Sequence, residues 1–558
     1  MTALDQLGAQ ILAWRHRRAP RNRDDLTRRP RPPGWLPDCS ADAVADDLDQ
    51  AARFAARLAA VPVADPGDRA EEVDRRVLGS VLARVRWELE ILRSWERDPW
   101  WYLDHSLGTV FDALLPPPPL DDRRTGEVLD RLRSIPGTLA DGRANLAGGG
   151  VAEFARLALT AAARADEQLV AAVEALTDFT PPAAHRELRD AARVAADAVA
   201  GWRAWLAGTA AGWAPWVPVG AEDFTWFLRE VAVVAEEPDE LVRASRQEWH
   251  RSVAFELLEQ HRPGPGRRDG GSPAGRAAGE GEAFPTPAEQ SERERIAELE
   301  VRAFYESRDL LTQPGWLRHY RFQPRPPYLE PLAWLGVTDD LTGPDRLGED
   351  AVSYVPTGPG PLPYFYRANA ADPRAGIAHE GAHYQQLALA WAGARPLRRH
   401  YVDSVPNEGV AFYNEEMLLQ AGLWADAPAT RAVIYNFLRL RALRVEVDLG
   451  LALGRLSIGE AGRILAGRVP MDEGTAREEA AFFASTPGQG MSYLVGKQQV
   501  LALLADDRLD RGEAFSLREF HDWLWTNGNV PLALLRWERL GDRRDLDRID
   551  AWRAVPRR

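Results

Sequence analysis

From Ala41 to about Gln260, apolar residues recur at spacings of three and four in a background of Ala, Leu, Arg, Glu and Asp. That period matches one face of an α-helix, and it commits this half of the chain to packed amphipathic helices. Arg75–Glu96 and Glu187–Gly208 each carry one apolar and one polar stripe. The prolines at Pro116–Pro119 and Pro181–Pro182 cannot continue a helix and mark connections. At 558 residues the chain exceeds what one core usually supports, so two or three lobes are expected. The expected division is an N-terminal helical lobe over 1–262 and a C-terminal helical lobe over 287–558. Between them lies 263–286, rich in Gly and Pro and too poor in apolar residues to offset the cost of ordering, which reads as a flexible loop.

The net charge of −14 and the absence of an extended basic face argue against nucleic acid as a partner. The arginines of the arm Arg15–Trp35 are broken by prolines and read as a surface wrap. A single cysteine, Cys39, excludes an intrachain disulfide and a thiolate metal site, and suits a reducing cytoplasm. The amphipathic N-terminus is followed, not preceded, by its basic cluster, and no apolar run reaches membrane-spanning length. The expectation is therefore a cytoplasmic protein without a membrane partner. Nothing in the sequence sets an oligomeric state.

Between Trp316 and Phe365 prolines and aromatics replace the alanines, and "AVSYVPTG" and "LPYFYRA" have the β-branched and aromatic content of short strands. A small sheet is expected there. Next comes "AHEGAHYQQLALA", Ala378–Ala390, which places His379 and His383 one helical turn apart on one face, with Glu380 beside them. Two imidazoles so placed can share a Zn²⁺, which then needs a third protein ligand and keeps a fourth position for water. Glu408 is the candidate, 29 residues after His379 on a helix that Pro406 and Asn407 are suited to begin. Glu415, two turns further on the same face, is either a carboxylate that hydrogen-bonds a ligand imidazole from behind or a solvated helix glutamate.

These parts predict hydrolysis: zinc-activated water attacks a carbonyl, Glu380 takes the water's proton and later protonates the leaving amine. The oxyanion needs further donors. "STPGQGMSYLVGKQQV" presents Tyr493 after a Gly-rich turn, and "FHDWLWTNGNVPL" presents His521 beside Asp522, although either residue by itself is more often a satisfied core residue. Arg444 in "RALRVEVD" is either a binder of a substrate carboxylate or, more simply, the partner of Asp448 four residues on.

The segments "HEGAHYQQ", Asn407–Leu423, Leu440–Gly450, Thr486–Lys497 and Phe520–Leu532 occur in the order in which they stand in domain-of-unknown-function family 885, which the sequence resembles. Fainter echoes lie in Leu36–Ser40, Trp95–Leu103 and Gly220–Glu230. Members of that family are regarded as zinc-dependent peptidases, similar to the thimet oligopeptidase and Taq carboxypeptidase types. The resemblance implies a mainly α, multi-helix, two-lobed, metallopeptidase-like fold with a deep channel and a small β element before the zinc-binding helix. It also implies oxyanion support from Tyr493 and His521. The family commonly has a longer gap before the second histidine and a histidine after the "DLG" position. This chain has the short gap and runs "LGLALGRL" there. The expected substrate is a peptide or peptide-like amide. The alternatives are a tailoring hydrolase acting on a non-peptide small molecule with the same metal, and an inactive helical binding protein.

Overall fold

The structure is a computed structural model, and it describes residues 2–21, 31–62, 67–259, 261, 286–356, 362, 364–393, 395–469 and 471–555. The loop expected over 263–286 therefore lies outside the described residues except for Thr286, which caps the helix Pro287–Ser307 through a reciprocal pairing with Glu289. The chain is mainly α-helical, with one small sheet. It forms two compact units interleaved in sequence. One comprises Met1–Val61, Leu82–Val217 and Arg321–Pro359; the other comprises Pro62–Val81, Pro218–Tyr320 and Gly360–Arg558. The division thus does not fall at 262–287, as expected from the Gly- and Pro-rich stretch.

In the first unit, α1 (Asp122–Leu146) and α2 (His185–Thr209) pack through the stripes that the periodicity predicts, including Leu132, Ile135, Leu139, Leu188, Val199 and Trp202. Asp121 caps α1 by accepting from the Arg124 amide at 2.8 Å. The arginines of the N-terminal arm that can be described turn back onto their own unit: Arg18 pairs with Asp47, and Arg31 donates to the carbonyls of His16 and Ala19. Strands β1 (Tyr320–Pro324), β2 (Asp339–Asp340) and β3 (Ala351–Val355) form a sheet in the order β1-β3-β2. Asp339 lies antiparallel opposite Ser353, and Asp340 opposite Val352.

The second unit carries α3 (Pro238–Glu259), α4 (Tyr364–Ala371), α5 (Ala382–Gly393), α6 (Ser404–Ala421), α7 (Pro428–Ala452), α8 (Gln489–Arg511) and α9 (Leu517–Thr526). Helix α4 occupies the second stretch expected to be a strand. The Tyr364 and Phe365 rings pack on Phe437 of α7 at 5.9 and 5.5 Å, so tertiary contact overrides the strand preference of aromatic residues. The α3 helix lies along α7, joined to it by ion pairs from Arg431 to Glu259 and from Arg439 to Glu256. This is why residues before the expected boundary belong with residues far beyond it. Helix α5 is buried from Ala382 to Trp391 and α6 from Val405 to Leu419, as expected of helices at the centre of a unit. Helices α6 and α8 approach most closely at Gly409 and Gly496. A Cβ on Gly409 would collide with the Gly496 Cα, and one on Gly496 with the Val405 carbonyl. One turn before Gly496 on α8 stands Tyr493.

Candidate metal centre

His379 lies in a wide π-turn, Ile377–Gly381, that runs directly into α5. Such turns disrupt the helical hydrogen-bond ladder. Here Asn414 Nδ2 donates to the Ala378 carbonyl at 2.7 Å. The His379 and His383 rings stand at right angles with centroids 4.9 Å apart. Facing them, α6 carries the pair Asn407–Glu408 and, seven residues on and so on the same face, the pair Asn414–Glu415. The helix begins at Ser404, capped by Asp403, so Glu408 stands just past the first turn rather than within it. Glu408 Oε2 lies 3.2 Å from His379 Nε2 and 3.5 Å from His383 Nε2. Glu415 Oε1 lies 2.7 Å from His379 Nδ1, and Asn407 Oδ1 lies 3.2 Å from His383 Nδ1. Each imidazole thus has an oxygen against Nδ1 and presents Nε2 to one carboxylate, although at His379 the Glu415 contact is an ion pair out of line for a hydrogen bond.

The ligating atoms of His379, His383 and Glu408 all lie within 4.8 Å of one another, the one such group among the described residues. His383 Nε2 and Glu408 Oε2 are buried and have no hydrogen-bond partner among those residues. Burying polar atoms without partners is costly, and a cation between them would remove the cost. A neutral imidazole has a single N–H, yet His379 faces a carboxylate at each nitrogen. Burial disfavours its charged form, but Glu408 and Glu415 outweigh burial and hold its pKa up at about 9. Burial likewise pushes Glu408 up, and His383 and His379 more than reverse this, keeping it well below the usual carboxylate range. Two neutral imidazoles and one carboxylate suit Zn²⁺, so the residues present fit the metal expected of them.

Glu380 lies in the π-turn beside His379, is partly exposed, and adds to the negative field on that ring. The Tyr493 ring stacks on His379 at 6.1 Å with planes 18° apart. His521 is a correction. It is fully buried, its Nδ1 lies 2.7 Å from the Leu310 carbonyl and its Nε2 lies 2.8 Å from the Tyr413 hydroxyl. With both nitrogens engaged it has no donor left for an oxyanion. Arg444 does not pair with Asp448; its guanidinium grips Glu479 and lies over Tyr493, 4.9 Å from the ring centroid. Asp448 instead accepts from the amides of Gly488 and Met491, fastening the turn that begins α8. Its burial pushes the carboxyl up to about 7 against those hydrogen bonds.

Three residues of the site escape the sequence reading. Asn407 and Asn414 have a visible signal, since "NE" repeats at seven-residue spacing in "NEGVAFYNEE". Arg441, which donates from Nη2 to Glu415 Oε1 at 3.0 Å and so backs the carboxylate that holds His379, has none.

The family model described as a bacterial protein of unknown function, DUF885, matches residues 28–257 and 362–538, the second stretch containing the whole centre. No curated protein matches the chain. Among solved structures, a "putative lipoprotein of unknown function" from Shewanella oneidensis aligns with a TM-score of 0.69 at 15% identity, over 97% of this chain and 100% of its own. A "putative lipoprotein" from Colwellia psychrerythraea aligns with a TM-score of 0.70 at 16% identity, over 99% of each chain. At these identities the likeness is one of fold.

Proposed function

The chain belongs to the DUF885 family, and we propose that it is a zinc-dependent hydrolase of peptide or peptide-like amide bonds, with His379, His383 and Glu408 as the metal ligands. The observation that carries this reading is the convergence of the unpaired, buried His383 Nε2 and Glu408 Oε2 with His379. A zinc ion held there supplies a Lewis acid that lowers the pKa of water and polarises a carbonyl. Asn407 and Glu415 keep both imidazoles turned with Nε2 inward. Glu380, adjacent to the ligands yet partly exposed, accepts the water's proton at its carboxylate and returns it to the departing amine. Tyr493, whose ring stacks on His379, is in this reading the hydrogen-bond donor to the oxyanion. The proposed location is the cytoplasm, where a buried lone cysteine stays reduced; recovery of the protein with membranes on cell fractionation would overturn that part alone.

Elemental analysis and a mixed peptide library test the reading together. The expected result is about one zinc per chain. Glu380→Gln should keep the metal and lose roughly 100-fold or more in kcat, the usual contribution of a general base. A protein that takes up no transition metal from added salts, or a Glu380→Gln variant with wild-type turnover, removes the proposal.

A further inference from the structure

Most buried arginines of the second unit are closed. Arg398 illustrates this, with Nε on Asp74, Nη1 on Asn527 and Glu538, and Nη2 on Glu538. Arg441 differs. It is 4% exposed, and apart from the bond from Nη2 to Glu415 its Nε and Nη1 are buried without a hydrogen-bond partner among the described residues. Glu415 is the carboxylate paired with it, and the same Oε1 also faces His379 Nδ1. The rings of Phe365, Phe412, Phe437 and Tyr493 surround the guanidinium with centroids 5.0 to 5.7 Å away. Ring faces attract a cation but offer its N–H groups no lone pair equivalent to an oxygen's.

A second guanidinium stands beside the first. Arg444, one turn further along α7, lies over two of the same rings, 5.7 Å from the Phe365 centroid and 4.9 Å from that of Tyr493. Its own charge is paired with Glu479, which leaves Arg441 with Glu415 as its carboxylate partner. Both cations therefore meet at Tyr493, whose ring stacks on the ligand His379. Phe365 and Tyr493 each keep part of their surface in solvent, which gives a ligand an approach. In a chain of net charge −14, an anion finds here two buried arginines and unspent donors within one residue's reach of the metal ligands.

We propose that Arg441, with Arg444 beside it, is the subsite for a carboxylate carried by the substrate, so that the amide cleaved lies next to a free carboxylate. The carboxylate supplies the acceptors that Nε and Nη1 lack, and its charge matches the guanidinium. Its place in turnover rests on the hydrolase reading; its binding does not. The carboxylate can come from the C-terminal residue of a peptide or from an acidic side chain, and the two sources are separable.

The test uses the full-length chain stripped of metal by a chelator, so that no metal competes for the anion. N-acetyl-phenylalanine, N-acetyl-aspartic acid amide and the neutral N-acetyl-phenylalanine amide are titrated by ligand-observed NMR. One of the two carboxylates should bind at least about tenfold more tightly than the neutral amide, and which one does so identifies the source. Arg441→Lys should weaken that binding about tenfold while preserving the melting temperature, and Arg441→Met should abolish it; the lysine variant keeps the test valid if the methionine variant does not fold. Equal binding of all three probes, no binding of either carboxylate, or wild-type affinity in Arg441→Lys overturns the subsite. Zinc content, measured separately, tests the hydrolase reading: a protein that holds no zinc yet prefers a carboxylate through Arg441 retains the subsite and loses that reading.

Discussion

His379 and His521 are both buried in the same unit, yet their surroundings demand opposite things of an imidazole. His521 meets one carbonyl and one hydroxyl, an acceptor and a group able to donate, which is what a neutral ring can satisfy. Burial depresses its pKa to about 4, although the bond to the Leu310 carbonyl works the other way. His379 meets two carboxylates, and a neutral ring can satisfy only one of them. It must take a second proton or share a cation, and beside it His383 and Glu408 leave atoms unpaired. The difference shows that two buried histidines can differ in whether their neighbours satisfy them. What differs is the demand made on the second nitrogen.

Four measurements press on that contrast. The largest effect is expected from Glu408→Ala, which removes the carboxylate both Nε2 atoms face. Its zinc affinity should fall by more than the roughly 100-fold ceiling typical of outer contacts, as read by competition with a chromophoric chelator. Retention of zinc at wild-type affinity would mean that the triad is not the metal site. Glu415→Gln comes next. It keeps shape at His379 Nδ1 but removes the charge, and affinity should drop about 10- to 100-fold.

His521→Leu should leave zinc affinity untouched and cost about 1–3 kcal/mol of stability, because the Leu310 carbonyl and the Tyr413 hydroxyl lose their partner. Loss of zinc in this variant would erase the distinction drawn between the two histidines. The smallest effect is a pH dependence. The folded His521 pKa of about 4 lies below that of an unfolded histidine, so the folded state binds fewer protons in between. Its contribution is complete above the unfolded value and is lost as pH falls toward the folded one. The stability gap between wild type and His521→Leu should therefore narrow as pH is lowered across that window in denaturant titrations. A gap that widens on acidification would show that the buried ring is already protonated.

Much of the centre is legible in the linear order of residues. The four-residue spacing of His379 and His383 suggests a shared helix face, and Glu408 and Glu415 are two turns apart on another. Helical periodicity over Ala41–Gln260 likewise leaves little freedom in the elements that form. The misreadings share a cause. Tyr364 and Phe365 have strand-like composition but pack on a helix, and Arg444 passes over a carboxylate four residues away to grip Glu479. In both cases a contact distant in sequence outweighs a local preference.

What the sequence by itself determined is therefore periodic and local: which segments are helical, and which carboxylates and imidazoles lie one or two turns apart. Tertiary structure alone decided which of those groups are left unsatisfied. The Gly409–Gly496 contact brings the backbones of α6 and α8 together, with Tyr493 one turn before the crossing, while His521 is closed by Leu310, more than two hundred residues away in the chain. A hydrogen-bond deficit depends on every neighbour in three dimensions, and no spacing along one helix encodes it. That is why Arg441, unremarked in a run of Leu, Arg and Ala, becomes conspicuous only when its buried nitrogens are matched against the acceptors around them.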